Sequence, residues 1–148
     1  MIVVIQRCSK ATVLIKNKVF SKIDNGLMIL LGIKKGDQFN DADKIIDKVI
    51  NMRIFNDKNN KMNLSAIDKE SDIMVVSQFT LYGNIKKGRR PSFIDAENPD
   101  IAEKLYNYFI DKIKAKGLFV RTGKFGQTMS VDFINDGPVT FILDSKDI

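Results

Sequence analysis

Hydroxyl and amide side chains follow a strongly apolar segment near the middle of the chain. The run Ile73–Val76 is continuously apolar and is followed at once by Ser77, Gln78, Phe79 and Thr80. This pattern predicts a buried strand whose polar end opens to solvent. Functional groups often collect at such ends, because a rigid strand aims them while the loop beyond remains open to a ligand.

The chain contains no histidine and only one cysteine, Cys8. These counts exclude Ser-His-Asp and Cys-His catalysis and the usual zinc sites, so we expect neither a metal nor a cofactor. Any chemistry must use carboxylates, hydroxyls, backbone groups or the substrate itself. A single cysteine cannot form an internal disulfide and fits a reducing, cytoplasmic location. Cys8 itself is predicted to be a small buried residue on the first strand.

The segment Asn135–Thr140 has the sequence Asn-Asp-Gly-Pro-Val-Thr and lies between two strand-like runs. Asp-Gly in such a place is typical of a hairpin turn, because glycine accepts positive φ without steric cost. A second interpretation is a Gly137-Pro138 peptide held in the cis form, which proteins adopt rarely and usually for a reason. The spacing alone favours the turn.

Positive charge is concentrated in one short stretch of a chain whose net charge is +6. The four cations of this stretch are Lys86, Lys87, Arg89 and Arg90. A moderately basic chain is compatible with a polyanionic partner, although short basic runs are often only solvated loops. The glycines around these residues resemble a phosphate-binding P-loop in spacing, but the Lys-Ser/Thr pair of that motif is missing.

Three classes of function remain open on these grounds. The chain could be an enzyme acting on an RNA-linked substrate, a non-catalytic RNA-binding module, or a small-molecule hydrolase using Thr80 or Ser77. The second class predicts exposed aromatic residues among the basic ones, and only Phe93 lies close to them. The third class needs a base beside the hydroxyl, and no such residue neighbours Thr80 in sequence.

The elements that must position these groups form the order β-β-β-α-β-β-α-β-β-β. Residues 41–51 and 98–117 have apolar residues at helical spacing, whereas the other apolar segments are short and rich in Val and Ile. This order predicts a single α/β domain over residues 1–148, with a mixed, barrel-like sheet and two main helices. No apolar run is long enough to cross a membrane, and the first residues indicate a strand rather than a signal peptide.

Several ordered motifs together resemble the D-aminoacyl-tRNA deacylase family over essentially the whole chain. Two of them are the segments already described, Ser77–Leu81 and Asn135–Thr140. The others are Ile5-Gln6-Arg7, Arg53-Ile54-Phe55 with Lys61-Met62-Asn63, and Arg90-Pro91-Ser92-Phe93.

The resemblance implies hydrolysis of the ester that joins a D-amino acid, or glycine mischarged on tRNA(Ala), to the terminal adenosine of tRNA. It implies a homodimer in which a cis Gly137-Pro138 peptide enters the partner's pocket and excludes L-amino acids. The arrangement would also have Arg7 hold that loop in place. Asn135, Phe125 and Met129 would contact the substrate, the last two in the adenosine pocket.

The resemblance also implies the chemistry at residues 77–80, which would surround the scissile ester. We expect the backbone N–H groups of Gln78 and Phe79 to bind the oxyanion. Thr80 lacks a visible activating base, so attack by water, assisted by the 2′-hydroxyl of the terminal ribose, is preferred to attack by Thr80. The basic stretch would contact tRNA phosphates.

Overall fold

The computed structural model describes all residues from 1 to 148 as a mixed sheet packed against two helices. The helices are α1 (Phe39–Asn51) and α2 (Pro99–Ala115), and a short 3₁₀ helix spans Phe79–Tyr82. The strands are β1 (Ile2–Ile15), β2 (Lys18–Ile23), β3 (Gly26–Gly32), β4 (Phe55–Asn56), β5 (Met62–Leu64), β6 (Asp72–Ser77), β7 (Val120–Thr122) and β8 (Ser130–Asp144).

Strand β1 organises the sheet because its two halves have different neighbours. Its first half pairs with β3 and its second half with β2, while β8 runs antiparallel along its other edge. Beyond β3, strands β6 and β7 continue the sheet in parallel. The Ser21 hydroxyl donates to the Thr122 carbonyl at 2.6 Å and so joins β2 to β7. Because β2 and β7 are the two ends of the strand order, this contact bridges the opening of the sheet, which has the barrel-like form that the sequence predicts.

Both helices bury one apolar face. On α1 this face includes Ile45 and Val49, and on α2 it includes Leu105 and Phe109. The start of α2 is fixed by the Asn98 side chain, which accepts a hydrogen bond from the Asp100 N–H at 3.0 Å, and by Pro99 in the first turn. These helices cover β3 and β6, which explains why both strands are almost continuously apolar.

The end of the chain differs from the predicted order. The two strand-like runs around Asp136-Gly137 belong to one strand, β8, so the prediction of a hairpin turn between them is wrong. Both runs pair with β1, where Cys8 faces Asn135 and Gln6 faces Thr140. Four residues, 136–139, therefore oppose Arg7 alone and loop out of the ladder as an extended bulge. The observed order is β-β-β-α-β-β-β-α-β-β, with β5 as the strand that the sequence did not predict.

Neither helix has the length and apolar character needed to cross a membrane. The fold class of a mixed, nearly closed sheet with two helices is confirmed.

Candidate active site

A cavity of about 370 Å³ opens where β3 and β6 end, and we call it the active-site cavity. The parallel strands bring Leu31 and Ser77 side by side, so the polar residues after Ser77 emerge at its floor. Helix α2 closes one side through Pro99 and Ala102. The remaining wall residues are Ile33, Gln78, Phe79, Phe93, Ala96, Glu97, Phe125 and Gly126.

Thr80 lies beside this cavity on the exposed 3₁₀ helix. Its Oγ1 accepts a hydrogen bond from the Gln78 side-chain amide. Because the amide occupies an acceptor position of the hydroxyl, the Thr80 proton is available for donation to a ligand. The amide has no basic character, so this contact orients Thr80 without activating it as a nucleophile.

The backbone N–H groups near Thr80 differ from the sequence prediction in one respect. The Gln78 N–H donates to the Leu31 carbonyl at 2.8 Å, which extends the β3–β6 ladder by one bond. The Gln78 N–H is therefore not free to bind an oxyanion, which corrects that prediction, although the Gln78 side chain remains at the site. The N–H groups of Phe79 and Thr80 fall in the first turn of the 3₁₀ helix, where the helix itself provides no acceptor.

Glu97 is the single ionisable side chain in the wall of the active-site cavity, and sequence analysis did not identify it as a site residue. Its two carboxylate oxygens accept backbone hydrogen bonds from Asn98 at 2.7 Å and Gly36 at 3.2 Å. Glu97 therefore ties the start of α2 to the loop after β3. Its position before the N-cap Asn98 was visible in the sequence, but its approach to Gly36 depends on the fold.

Aromatic rings form two flanks of the active-site cavity. Phe79 and Phe93 pack edge to face with 5.0 Å between centroids. On the other flank Phe125 packs 5.6 Å from Tyr106, whose hydroxyl donates to the Val75 carbonyl at 2.8 Å. Phe125 therefore lines the cavity, and its contact with the adenosine stays a prediction.

Met129 lies behind this wall and not in it. Its sulfur accepts a hydrogen bond from the Lys124 N–H at 3.2 Å. The side chain also fills the space beside Gly123, where a Cβ would come within 2.7 Å of the sulfur. Met129 supports the backbone that carries Phe125, and its contact with the adenosine stays a prediction.

The predicted basic stretch is an exposed loop beside the active-site cavity. Reciprocal backbone hydrogen bonds of 2.8 and 2.9 Å between Asn84 and Ser92 close its base. Phe93, next to this closure, belongs to the cavity wall. None of the four cations is in an ion pair, so the whole charge is available to a ligand: Lys86, Lys87, Arg89 and Arg90. We call residues 86–90 the basic loop.

The bulge in β8, residues 136–139, is called the Gly-Pro loop, and its Gly137-Pro138 peptide is cis. The buried Arg7 guanidinium fixes it: Nε lies 3.1 Å from the Asp136 carbonyl and 3.0 Å from its carboxylate. A second guanidinium nitrogen donates to the Ile54 carbonyl at 2.7 Å. Arg7 thereby links the Gly-Pro loop to the segment before β4.

Asn135 also braces the Gly-Pro loop and does not line the active-site cavity. Its side-chain oxygen accepts the Val139 N–H at 2.8 Å, and its amide donates to the Thr140 hydroxyl at 3.1 Å. The predicted substrate contact of Asn135 is therefore not made to the cavity of its own chain. These two bonds close the loop across its neck.

The Gly-Pro loop and the active-site cavity lie towards opposite ends of the sheet. Arg7 pairs with Leu27 on β3, whereas Ser77 pairs with Leu31, four residues further along the strand. At about 3.3 Å per residue this separation is roughly 13 Å. Within one chain, Gly137 and Pro138 are therefore remote from residues 77–80.

A larger cavity of about 510 Å³ lies beside Arg7 and Cys8, but its chemistry does not suit a nucleic-acid substrate. Four carboxylates line it, from Asp24, Glu70, Asp72 and Asp136. Clustered negative charge repels phosphates, so the smaller cavity beside the basic loop is the better candidate.

The fold and the site define a mixed-sheet α/β protein whose candidate site presents hydroxyl, amide and backbone N–H groups. The model of the D-Tyr-tRNA(Tyr) deacylase family matches residues 4–144. The chain therefore belongs to this family of enzymes.

Individual relatives agree with this assignment. The chain is 50% identical over 145 residues to a protein of Thermosipho africanus named D-aminoacyl-tRNA deacylase, covering 98% of this chain and 97% of that one. A protein of the same name from Aquifex aeolicus is 51% identical over 145 residues, with 98% of each chain covered. The solved structure of a c-Myc DNA unwinding element binding protein has a TM-score of 0.91 and 36% identity, covering 97% of this chain and 98% of that one.

Proposed function

We propose that this protein hydrolyses the ester bond between a D-amino acid and the 3′-terminal adenosine of tRNA. The observation that carries this proposal is the position of residues 77–80. Ser77, Gln78 and Phe79 line the active-site cavity, and the Thr80 hydroxyl lies beside it. The basic loop, none of whose cations is in an ion pair, is next to this cavity. A largely apolar cavity with a few hydroxyl, amide and N–H groups suits an aminoacyl ester, and the neighbouring cations suit the phosphates of the same substrate.

The proposed reaction needs no metal and no covalent bond between the substrate and the enzyme. A water molecule adds to the carbonyl carbon, and the resulting oxyanion accepts hydrogen bonds from the N–H groups of Phe79 and Thr80. Collapse of the tetrahedral intermediate breaks the bond between the carbonyl carbon and the ribose 3′-oxygen. That oxygen takes up a proton, and the products are the amino-acid carboxylate, a proton and tRNA with a free 3′-hydroxyl.

The 2′-hydroxyl of the terminal ribose serves as the proton shuttle in this proposal. Glu97, the ionisable residue in the cavity wall, already accepts two backbone hydrogen bonds and is poorly placed to act as a base. Thr80 accepts from a neutral amide and donates to the substrate. The substrate's own hydroxyl is the remaining group adjacent to the reacting bond.

Chiral selectivity is assigned to the Gly-Pro loop of a partner subunit in a homodimer. In one chain this loop lies roughly 13 Å along the sheet from Ser77, so it cannot complete its own cavity. A two-fold pairing would exchange the loops between two cavities. Gly137 and Pro138 are exposed and Arg7 fixes the loop from behind, as a rigid part presented to another molecule would require.

The surface around the Gly-Pro loop is suited to such a pairing. Strand β8 carries exposed apolar side chains on both sides of the loop: Ile134 is 51% exposed, Phe141 38% and Ile142 69%. Because neighbouring residues of a strand face opposite sides of the sheet, these side chains lie on both faces of β8, and a second subunit that packs along this strand would cover them. Burial of these side chains and insertion of the loop would take place in one step.

Rejection of L-amino acids would then result from backbone carbonyls of the Gly-Pro loop placed against the substrate α-carbon. Such a wall leaves space for hydrogen but not for an L side chain. Glycine has hydrogen at both side-chain positions of its α-carbon, so glycine mischarged on tRNA(Ala) would be hydrolysed as well. The substrate class places the enzyme in the cytoplasm, with aminoacyl-tRNA as its partner.

The proposal is tested by incubating the protein with D-tyrosyl-tRNA, L-tyrosyl-tRNA and glycyl-tRNA(Ala). We expect release of D-tyrosine and glycine with multiple turnovers, and L-tyrosine release at the rate of spontaneous hydrolysis. Binding of all three without turnover would instead support an RNA-binding module. Turnover of small esters but not of aminoacyl-tRNA would support a small-molecule hydrolase.

A further inference from the structure

A third cavity adjoins the active-site cavity and has no role in the reaction proposed above. It has a volume of about 340 Å³ and lies between β2, α2 and the segment after β7. Phe125 lines both this side cavity and the active-site cavity. Phe125 therefore forms part of the boundary between the two spaces, an arrangement that suits two successive bases of a single RNA strand.

The ring at the boundary between the two cavities is firmly supported. Phe125 packs against Tyr106, which also lines the side cavity and is held by its hydrogen bond to the Val75 carbonyl. Met129 supports the backbone just before Phe125 through the Lys124 N–H. A ring fixed in this way can contact a different base in each cavity without moving.

The side cavity combines the groups with which proteins bind single-stranded RNA. Phe20 on β2 is 48% exposed although it is aromatic, and it faces this space. Asn107 on α2 offers an amide that can both donate to and accept from the edge of a base. Lys114 and Lys124 provide cations for phosphates. Two carboxylates, Glu103 and Asp111, share this wall, and the Asp111 carboxylate lies 3.9 Å from the Lys114 ammonium. An aromatic platform with an amide and cations is typical of nucleotide recognition.

We propose that the side cavity binds the penultimate nucleotide of the tRNA acceptor end, a cytidine in every tRNA. This proposal rests on the proposed function and on the family resemblance, which implies that Phe125 contacts the terminal adenosine. Phe20 stacks on the cytosine ring. Asn107 bonds its Watson–Crick edge, whose amino group donates and whose ring nitrogen accepts. The basic loop, on the Phe93 flank, is left to contact phosphates of the tRNA body.

The experiment compares two minimal substrates, D-tyrosyl-adenosine and the D-tyrosyl ester of the dinucleotide cytidylyl-adenosine. For the wild-type protein we expect kcat/KM to be about tenfold higher for the dinucleotide, mainly through KM, as one stacked base provides. Phe20→Ala and Asn107→Ala should each remove most of this advantage and leave the rate on D-tyrosyl-adenosine unchanged.

Phe119→Ala is the matched control, because Phe119 is 50% exposed but lies outside both cavities. It should retain the full preference for the dinucleotide. Equal wild-type rates on the two substrates, or a full preference in both Phe20→Ala and Asn107→Ala, would overturn the subsite while the deacylase function stands. Failure of the wild type to hydrolyse either substrate would overturn the proposed function and the subsite with it.

Discussion

Thr80 is the residue whose surroundings bear most directly on the mechanism. Its hydroxyl accepts from the Gln78 amide and has no basic group as a partner. We therefore expect Thr80→Val to lower kcat for D-tyrosyl-tRNA by about 100- to 1,000-fold, the effect of losing a hydrogen bond to the reacting group. Loss of a catalytic nucleophile would instead cost on the order of 10⁶-fold. Single-turnover rates distinguish the two outcomes.

A matched substrate separates the role of Thr80 from that of the ribose. D-tyrosyl-tRNA that ends in 2′-deoxyadenosine should react more slowly with the wild-type protein than normal substrate reacts with Thr80→Val. Isolation of an acyl ester on Thr80 by mass spectrometry would show that the threonine is the nucleophile.

Cys8 illustrates the opposite case, a reactive residue type that the structure makes inert. The thiol is only 1% exposed, and burial raises its pKa to about 11. We expect no reaction with a disulfide reagent in the native protein at mildly alkaline pH and complete reaction after unfolding in denaturant. Native labelling at the rate of the unfolded chain would contradict the burial.

The same shift makes stability depend on pH in a defined direction. The native thiol holds its proton more tightly than the unfolded thiol, whose pKa has the ordinary value of 9.0. The free energy of unfolding should therefore fall as pH rises from about 9 to about 11. Cys8→Ala provides the reference curve, and the two denaturation curves should diverge only in that interval.

At the scale of elements, the apolar runs predicted most strands and both helices, because a buried strand or helix carries the pattern of its burial in its own residues. The last strand could not be predicted in this way. Asp136-Gly137 is a strong local turn signal, but both flanking runs pair with β1, a partner far away in sequence. The Gln78 N–H shows the same limit on a smaller scale, because its acceptor, the Leu31 carbonyl, comes from another strand. The motif resemblance predicted the hydrogen bond from Arg7 to the Gly-Pro loop, but not the acceptor of the Gln78 N–H.

The basic loop provides a prediction at this scale. Replacing all four of its cations with alanine should weaken tRNA binding and lower the slope of log K against log salt by about 3, because each lost phosphate contact removes roughly 0.7–0.9. The measurement is a salt titration of tRNA affinity by fluorescence anisotropy. The matched control removes four exposed lysines on α1 and on the loop after β4: Lys44, Lys48, Lys58 and Lys61.

An equal loss of affinity and slope in the control would show that only net charge matters. An unchanged slope in the loop variant would show that the tRNA body lies elsewhere. Phe93 and the Asn84–Ser92 closure are left intact in this variant, so the wall of the active-site cavity should not change.

At the scale of the whole molecule, the cavity and the Gly-Pro loop belong to different ends of one sheet. The central claim is that each active site takes its loop from the partner subunit. Two variants separate these parts. Gly137→Ala disturbs the loop, because a Cβ at φ +139° would lie 2.6 Å from the Val139 side chain. Ala96→Phe places a ring in the active-site cavity, where Ala96 is part of the wall.

Subunit complementation between these two variants tests the claim most directly. Each variant alone should be nearly inactive on D-tyrosyl-tRNA while remaining a folded dimer by sedimentation and thermal melting. When the two are co-expressed, random pairing makes about half of the dimers mixed. Each mixed dimer has one site with an intact cavity and an intact loop, so about a quarter of wild-type activity should return. No recovery in a sample proven to contain mixed dimers, or full activity in a monomer, would show that the site is completed within one chain.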